Sequence, residues 1–238
     1  LHPVHPYCEL GEASLRSSSS LRKIATDSEE FERVLTAFTA GLLLITISEL
    51  GDKTFFIAVV MSMRYSRRLV LAGVVAALAA MTVLSVMLGQ AIAFLPKAYI
   101  HYAEIALFVC FGVKLLVDGW KMPTTAQSSV VDEAKTAVEQ SELNLKQHKS
   151  NWAVIFESFI LTFLAEWGDR TQIATIALSA SNNALGVTVG AILGHAICAL
   201  IAVIGGKMIA GRISEQTITA VGGVLFLLFA AVAWWEGV

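Results

Sequence analysis

The chain has 238 residues, of which 56% are hydrophobic and only 15% are charged, and its mean hydropathy is +0.69. Soluble globular domains usually carry about 25% charged residues, so this composition excludes an ordinary soluble enzyme and a disordered chain. The net charge of −2 gives no electrostatic basis for nucleic-acid binding. Three scattered cysteines suggest neither a disulfide framework nor a zinc cluster. The composition therefore indicates a polytopic membrane protein.

The first 33 residues differ from the rest of the chain. They contain a run of four serines and no apolar stretch. A segment of this kind has little apolar surface to bury against the membrane-spanning part. We therefore expect residues 1–33 to be a poorly ordered N-terminal extension.

Six later segments are apolar enough to cross a bilayer, which takes about 20 residues. Three of them are free of charge, and three carry charged residues inside an apolar run. In chain order they are Thr36–Met63, Leu69–Leu95, Tyr99–Trp120, Trp152–Ala180, Ala184–Gly206 and Thr217–Trp235. The first and the fourth are longer than one crossing requires. We therefore predict a break in each of them near its Gly-Asp step.

Residues 122–151 form a long polar linker between the third and fourth spans, and they separate a first half (34–121) from a second half (152–238). Apolar residues recur in the linker at helical spacing among charged ones, which predicts an amphipathic helix. Lysines and arginines cluster in the linker and in the loops on its side of the membrane. By the positive-inside rule, the linker is expected to be cytoplasmic.

The two halves repeat each other with an offset of 117 residues, which grows to 118 towards their ends. Residues 48–54 align with residues 165–171, so each half carries the motif Glu-x-Gly-Asp-Lys/Arg-Thr. Gly73 aligns in the same way with Gly190. Because each half has an odd number of spans, the second half must enter the membrane from the opposite side. The predicted fold class is an all-α membrane protein with six transmembrane helices in two inverted three-helix repeats, an architecture common in transporters.

The acidic residues of the two motifs are candidate ligands for cations and protons. Glu49 and Asp52 are three residues apart and share one helix face, as do Glu166 and Asp169. Charged groups inside a span are costly and mark functional sites by default. Four converging carboxylates suit hard divalent cations such as Mn²⁺, Ca²⁺ or Mg²⁺. Since such acids cannot all stay ionised in a low dielectric, protons would bind whenever no cation does.

Neighbouring residues of the motifs are candidate supporting groups. Lys53 and Arg170 would neutralise part of the negative charge. Thr54, Thr171 and Gln172 supply uncharged polar groups beside the acids. These five residues are expected to support the site rather than to be its main ligands.

Two further polar residues lie in the spans of the second half. Glu157 is nine residues before Glu166, on the opposite face of an unbroken helix, so it could reach the acids only if the helix bends. His195 stands alone in a helix of small residues, where an imidazole more often bonds to a neighbouring helix than to a metal. Both are candidate accessory residues.

Other functions remain open at this point. The acids could line a divalent cation channel, or they could form internal salt bridges in a membrane assembly factor that transports nothing. An intramembrane enzyme has little support, because the sequence contains neither a His-Glu-x-x-His nor a Gly-x-Ser-x-Gly motif. A nucleotide-binding loop is also absent from the sequence. We therefore expect a transporter driven by the proton gradient and not an enzyme.

The doubled motif resembles that of a small family of Golgi, chloroplast and cyanobacterial cation/proton exchangers. The resemblance extends over residues 34–238 and is closest to the manganese exchangers of cyanobacteria and plastids. It implies exchange of Mn²⁺, with Ca²⁺ as a second candidate, for protons at Glu49, Asp52, Glu166 and Asp169. It also implies export of the cation from cytoplasm or stroma across a thylakoid or plasma membrane. The cation would be a transported substrate and not a permanent cofactor. Assembly of the chain into a homo-oligomer is compatible with this resemblance.

Overall fold

A computed structural model describes residues 7–121, 132, 134–140, 150–209 and 215–237. These residues form long helices and no strand, which confirms the predicted all-α class. The helices are α1 (Tyr7–Glu49), α2 (Lys53–Arg64), α3 (Arg67–Ile92), α4 (Lys97–Lys121), α5 (Asn151–Ala165), α6 (Arg170–Ser181), α7 (Ala184–Ile209) and α8 (Glu215–Glu236).

Four helical stretches in the described part of the chain are long and apolar enough to cross a membrane. They are Thr26–Glu49, Arg67–Ile92, Lys97–Lys121 and Ala184–Gly205. Two further helical stretches, α5 and the part of α8 from Thr219 to Trp235, are apolar but shorter. The membrane character of the chain is confirmed, while the count of six spans stays a prediction.

Two breaks divide α1 from α2 and α5 from α6, where the sequence predicted them. The helices are interrupted across residues 50–52 and again across residues 166–169. Gly51 and Gly168 have φ angles of 83° and 80°. This left-handed conformation is free of strain only for glycine. The two motif copies therefore form the same kind of turn.

Helix α1 begins well before the predicted first span. It runs from Tyr7 without interruption, so residues 7–33 are helical where the sequence indicated a poorly ordered extension. The chain has no glycine or proline from Glu12 to Ala40, so no residue of this stretch terminates a helix. The expected boundary at residue 34 consequently falls inside a helix.

Each broken helix packs against the long middle helix of the other half. Helix α1 lies along α7, and α5 lies along α3. A Cβ atom on Gly190 would lie 2.1 Å from the carbonyl oxygen of Phe38, and one on Gly73 would lie 2.4 Å from that of Ile155. The offset of 117 residues relates Phe38 to Ile155 and Gly73 to Gly190. The two halves therefore make equivalent backbone contacts.

Helices α4 and α8 pack in opposite directions through four phenylalanines. The ring centroids of Phe108 and Phe226 are 5.8 Å apart. Phe229 lies 6.1 Å from Phe108, and Phe111 lies 5.7 Å from Phe226. In the alignment of the two halves with an offset of 118 residues, Phe108 corresponds to Phe226 and Phe111 corresponds to Phe229. The contact between Phe108 and Phe229 is therefore the counterpart of the contact between Phe226 and Phe111.

The outer surface of the helix bundle carries large apolar side chains. Phe94, Trp120 and Trp235 are 92%, 88% and 90% exposed, and they lie at or beyond helix ends. Aromatic residues at helix ends are typical of the membrane–water interface. A soluble monomer rarely exposes so much apolar surface, whereas a lipid-facing bundle requires it.

The described part of the linker packs on the bundle. Residues 134–140 are helical, and Ala134 and Val138 are fully buried in the same apolar cluster as Met61 of α2. Arg64 at the end of α2 pairs with Glu139 at 3.2 Å. The rest of the predicted amphipathic helix lies outside the described residues.

Replacing Gly190 by alanine should destabilise the contact between α1 and α7, because the new Cβ would overlap the Phe38 carbonyl oxygen. Overpacking of this kind usually costs about 1–3 kcal/mol. Thermal unfolding in detergent should therefore show a lower midpoint than that of the unmodified protein. The Gly222→Ala variant is a matched control, since its Cβ would meet no atom closer than 3.9 Å. Equal midpoints for the two variants would contradict the close approach of the helices.

Candidate cation-binding site

The two helix breaks turn the motif carboxylates into the interior of the bundle. Asp52 and Asp169 are the N-cap residues of α2 and α6, and both have extended backbones. The backbone N–H of each aspartate donates to the carbonyl of the glutamate three residues earlier, at 3.2 Å for Glu49 and 3.1 Å for Glu166. A helix N-terminus carries a partial positive charge, so both helix starts favour the anionic aspartates.

Three of the four candidate ligands come together as one group. One carboxylate oxygen from each of Glu49, Asp52 and Asp169 lies within 4.8 Å of the other two. Glu166 is not part of this triplet of carboxylates. Glu49 and Glu166 are nearly inaccessible, at 2% and 3% exposure, while both aspartates are partly buried. The group thus combines residues from both halves of the chain.

The two motif threonines hold the glutamates in place. The Thr54 hydroxyl donates to Oε2 of Glu49 at 3.2 Å. The Thr171 hydroxyl lies 3.4 Å from Oε2 of Glu166 and 3.2 Å from Oδ2 of Asp169. Thr171 therefore connects Glu166 to the carboxylate triplet.

Arg170 joins the aspartates of the two halves. Its guanidinium lies 3.5 Å from Oδ1 of Asp52 and 3.9 Å from Oδ1 of Asp169. Lys53 holds the equivalent position at the start of α2. The arginine compensates part of the negative charge of the triplet, because a buried carboxylate without a positive partner is costly.

The two glutamates retain unused hydrogen-bonding capacity. In the part of the chain that the structure describes, Oε1 of Glu49 and Oε1 of Glu166 are both buried without a hydrogen-bond partner. A buried polar atom without a partner costs about 1–3 kcal/mol. Both oxygens are therefore available to a proton or a cation.

Gln172 stabilises the second turn. Its Oε1 accepts a hydrogen bond from the backbone N–H of Gly168 at 2.7 Å, and its Nε2 lies 3.6 Å from Sδ of Met81 on α3. The glutamine thus fixes the turn and contacts the other half of the chain.

The two candidate accessory residues have different surroundings. Glu157 is buried on the unbroken helix α5. At 1.5 Å per residue, it lies about 13 Å along the helix axis from Glu166, so it is not adjacent to that acid. His195 is buried on α7 and lines a cavity together with Glu166.

Two cavities border the motif residues. One of about 90 Å³ lies beside Asp52 and Arg170 and includes Asp118 of α4 and Thr219 of α8 in its wall. The other has a volume of only about 10 Å³ and lies beside Glu166. The space next to the site is therefore larger on the side of Asp52.

Several residues at these cavities carried no distinctive signal in the sequence. Met81, Thr82 and Ser85 line the small cavity, yet they belong to a charge-free apolar span. The alignment of the two halves offers one signal, since it pairs Met81 with Cys198 and so places sulfur at the same position in both.

Gly168 provides a test of the turn geometry. Replacing it by alanine should cost about 1–2 kcal/mol, because its φ of 80° is unfavourable for residues with a Cβ. Gly168→Asn should cost less, since asparagine tolerates this conformation. A Cβ at this position would meet no atom within 4 Å, so any loss comes from the backbone. If chemical denaturation showed no difference in unfolding free energy between glycine and alanine, the turn would have another conformation.

Comparison with known proteins identifies relatives that match most of the chain. A family model described as "Divalent cation/proton antiporter GDT1" matches residues 37–123 and 154–238. The GDT1-like protein sll0615 of Synechocystis sp. is 63% identical over 202 residues, which cover 85% of this chain and 98% of that protein. The chloroplastic PAM71-homolog of Arabidopsis thaliana is 41% identical over 209 residues, which cover 82% of this chain and 58% of that protein.

Another relative is the chloroplastic GDT1-like protein 2 of Oryza sativa subsp. japonica, 42% identical over 82% of this chain and 60% of its own length. No solved structure matches the chain. The resemblance to cation/proton exchangers of cyanobacteria and plastids is thereby confirmed. The chain belongs to the GDT1 family of divalent cation/proton antiporters.

Proposed function

We propose that this protein exchanges Mn²⁺, with Ca²⁺ as a second candidate substrate, for protons across a membrane. The observation that carries the proposal is the carboxylate triplet of Glu49, Asp52 and Asp169, whose oxygens lie within 4.8 Å of one another. Oxygen ligands in such a group suit hard divalent cations. Membership of a divalent cation/proton antiporter family supports the same reading.

Cation and proton would compete for the same carboxylates. Without a cation, neighbouring acids in a low-dielectric interior repel each other when ionised, and protonation relieves this repulsion. A divalent cation favours the ionised acids and displaces the protons. The free oxygens of Glu49 and Glu166 are well placed to accept either. Exchange then needs no separate proton relay.

The proposed architecture is six spans in two inverted three-helix repeats. The two left-handed glycine turns, the paired glycine contacts and the paired phenylalanine contacts support a two-fold relation between the halves. The family model also matches one stretch in each half. Inverted repeats in transporters hold the substrate at the repeat interface.

Alternating access would come from rocking of one repeat against the other. The cavities beside the site have unequal volumes, about 90 Å³ next to Asp52 and Arg170 and about 10 Å³ next to Glu166. Rocking would widen the second cavity while closing the first. Arg170 spans Asp52 and Asp169, so a cation entering the triplet would compete with its guanidinium.

The proposed direction of transport is export of the cation from the cytoplasm or the stroma. The similar proteins come from a cyanobacterium and from chloroplasts, which supports a thylakoid or plasma membrane of a photosynthetic organism. Export would lower the Mn²⁺ concentration in the cytoplasm or stroma and supply the lumen or periplasm.

The proposal predicts that purified protein in liposomes takes up Mn²⁺ when the interior is acidic and releases protons as it does so. Glu49→Gln combined with Glu166→Gln should abolish the uptake, since Glu49 is one of the three proposed ligands and Glu166 is a buried acid beside them. Glu104→Gln is a control, because Glu104 is another buried glutamate in the bundle and does not contribute to the carboxylate triplet. Mn²⁺ flux and internal pH are measured together.

Two results would contradict the exchanger, and a third would contradict the assignment of its glutamates. Uptake that ignores the pH gradient would favour a carboxylate-lined channel. Folded wild-type protein that carries neither Mn²⁺ nor Ca²⁺ under either gradient would favour a structural role for the acids. Uptake retained by the double variant would remove the glutamates from the site.

A further inference from the structure

The small cavity beside Glu166 has a mixed set of potential metal ligands. Its wall includes Glu166, His195 and Met81, which carry a carboxylate, an imidazole and a thioether. Thr82 and Ser85 also line it, and their hydroxyls donate to the backbone carbonyls of Leu78 and Met81 at 2.8 Å. The carboxylate triplet, by contrast, offers oxygen alone.

Two polar atoms at this cavity lack partners. Among the described residues, Oε1 of Glu166 and Nδ1 of His195 are buried and accept or donate no hydrogen bond. The two residues are only 3% and 6% exposed, so bulk water does not satisfy these atoms. Nearly all buried polar groups in proteins have a partner, and an exception calls for an explanation such as a bound ion.

Met81 has its sulfur next to polar side chains although it belongs to an apolar span. Its Sδ lies 3.6 Å from Nε2 of Gln172, whose Oε1 in turn binds the turn at Gly168. Thr171 connects Glu166 to Asp169 of the triplet through its hydroxyl. The cavity is therefore adjacent to the proposed cation site and not a separate pocket.

The imidazole is present in one half of the chain only. The offset of 117 residues pairs His195 with Leu78, and it pairs Thr82 and Ser85 with Ala199 and Ala202. The counterparts of three polar residues at the Glu166 cavity are thus apolar. Leu78 lines the same cavity, so His195 brings an imidazole to a wall where its counterpart is apolar. A ligand bound at this cavity would account for the difference between the halves.

We propose that Glu166, His195 and Met81 form a subsite that favours Mn²⁺ over Ca²⁺ during transport, an inference that rests on the exchange function proposed above. Ca²⁺ takes six to eight oxygen ligands, so nitrogen and sulfur ligands contribute little to its binding. First-row transition metals accept imidazole nitrogen, and a soft thioether disfavours Ca²⁺ and Mg²⁺ more than it disfavours Mn²⁺. The oxygen triplet binds either cation, and this subsite discriminates between them.

The direct test is pulsed electron paramagnetic resonance of Mn²⁺ bound to the full-length protein in detergent. Wild-type protein should show the modulation of a ¹⁴N nucleus coordinated to Mn²⁺, and His195→Leu should lose it. Leucine is the residue that the first half has at the equivalent position, and it removes the imidazole while keeping a side chain of similar size. Bound Mn²⁺ without nitrogen modulation in the wild-type protein would overturn the subsite.

Transport gives a second test. His195→Leu should raise the KM for Mn²⁺ about tenfold, and Met81→Leu should raise it by a smaller factor, while both leave the KM for Ca²⁺ unchanged. Cys198→Ala is a control, since it removes the sulfur at the position equivalent to Met81 in the other half. Equal losses for Mn²⁺ and Ca²⁺ would overturn the selectivity while leaving the exchange function intact. Wild-type protein that binds and carries no Mn²⁺ would instead refute the proposed function.

Discussion

Repulsion among buried carboxylates is the constraint on which the rest of this structure depends. Glu49, Asp52 and Asp169 bring oxygens within 4.8 Å of one another, and Glu166 is buried next to them. Arg170 compensates the two aspartates, and two threonine hydroxyls bind the glutamates. These groups do not satisfy every carboxylate oxygen in the described part of the chain. The folded state therefore tolerates an electrostatic cost that a bound proton or divalent cation would relieve.

The helices of the bundle are held together by packing contacts that occur once in each half of the chain. The glycine contacts of α1 with α7 and of α5 with α3 are equivalent, and so are the phenylalanine contacts between α4 and α8. The chemistry around the site is less symmetric than the packing. Arg170 bridges both aspartates, and His195 has Leu78 as its counterpart. The packing contacts are therefore paired between the halves, while the polar residues around the site are not.

The sequence was sufficient for the features that depend on local chemistry. Charge-free apolar runs predicted the helices, and the Gly-Asp steps predicted both breaks, because a glycine with positive φ interrupts a helix in a recognisable way. The sequence was insufficient for side chains whose positions depend on contacts between helices that are distant in the chain. The convergence of three acids without Glu166, the bridge from Arg170 to Asp52 and the place of Met81 all depend on interhelical packing. The helical start of α1 also differs from the expectation, because a serine-rich stretch without glycine or proline can continue a helix.

Whether protons and cations compete for the same carboxylates can be measured without transport. Calorimetric titration of the metal-free protein with Mn²⁺, in buffers of different ionisation enthalpy, gives the number of protons released per cation bound. Competition predicts the release of roughly one to two protons per Mn²⁺. Mn²⁺ binding whose heat is the same in every buffer would show that no proton leaves. That result would contradict exchange by competition at the carboxylates.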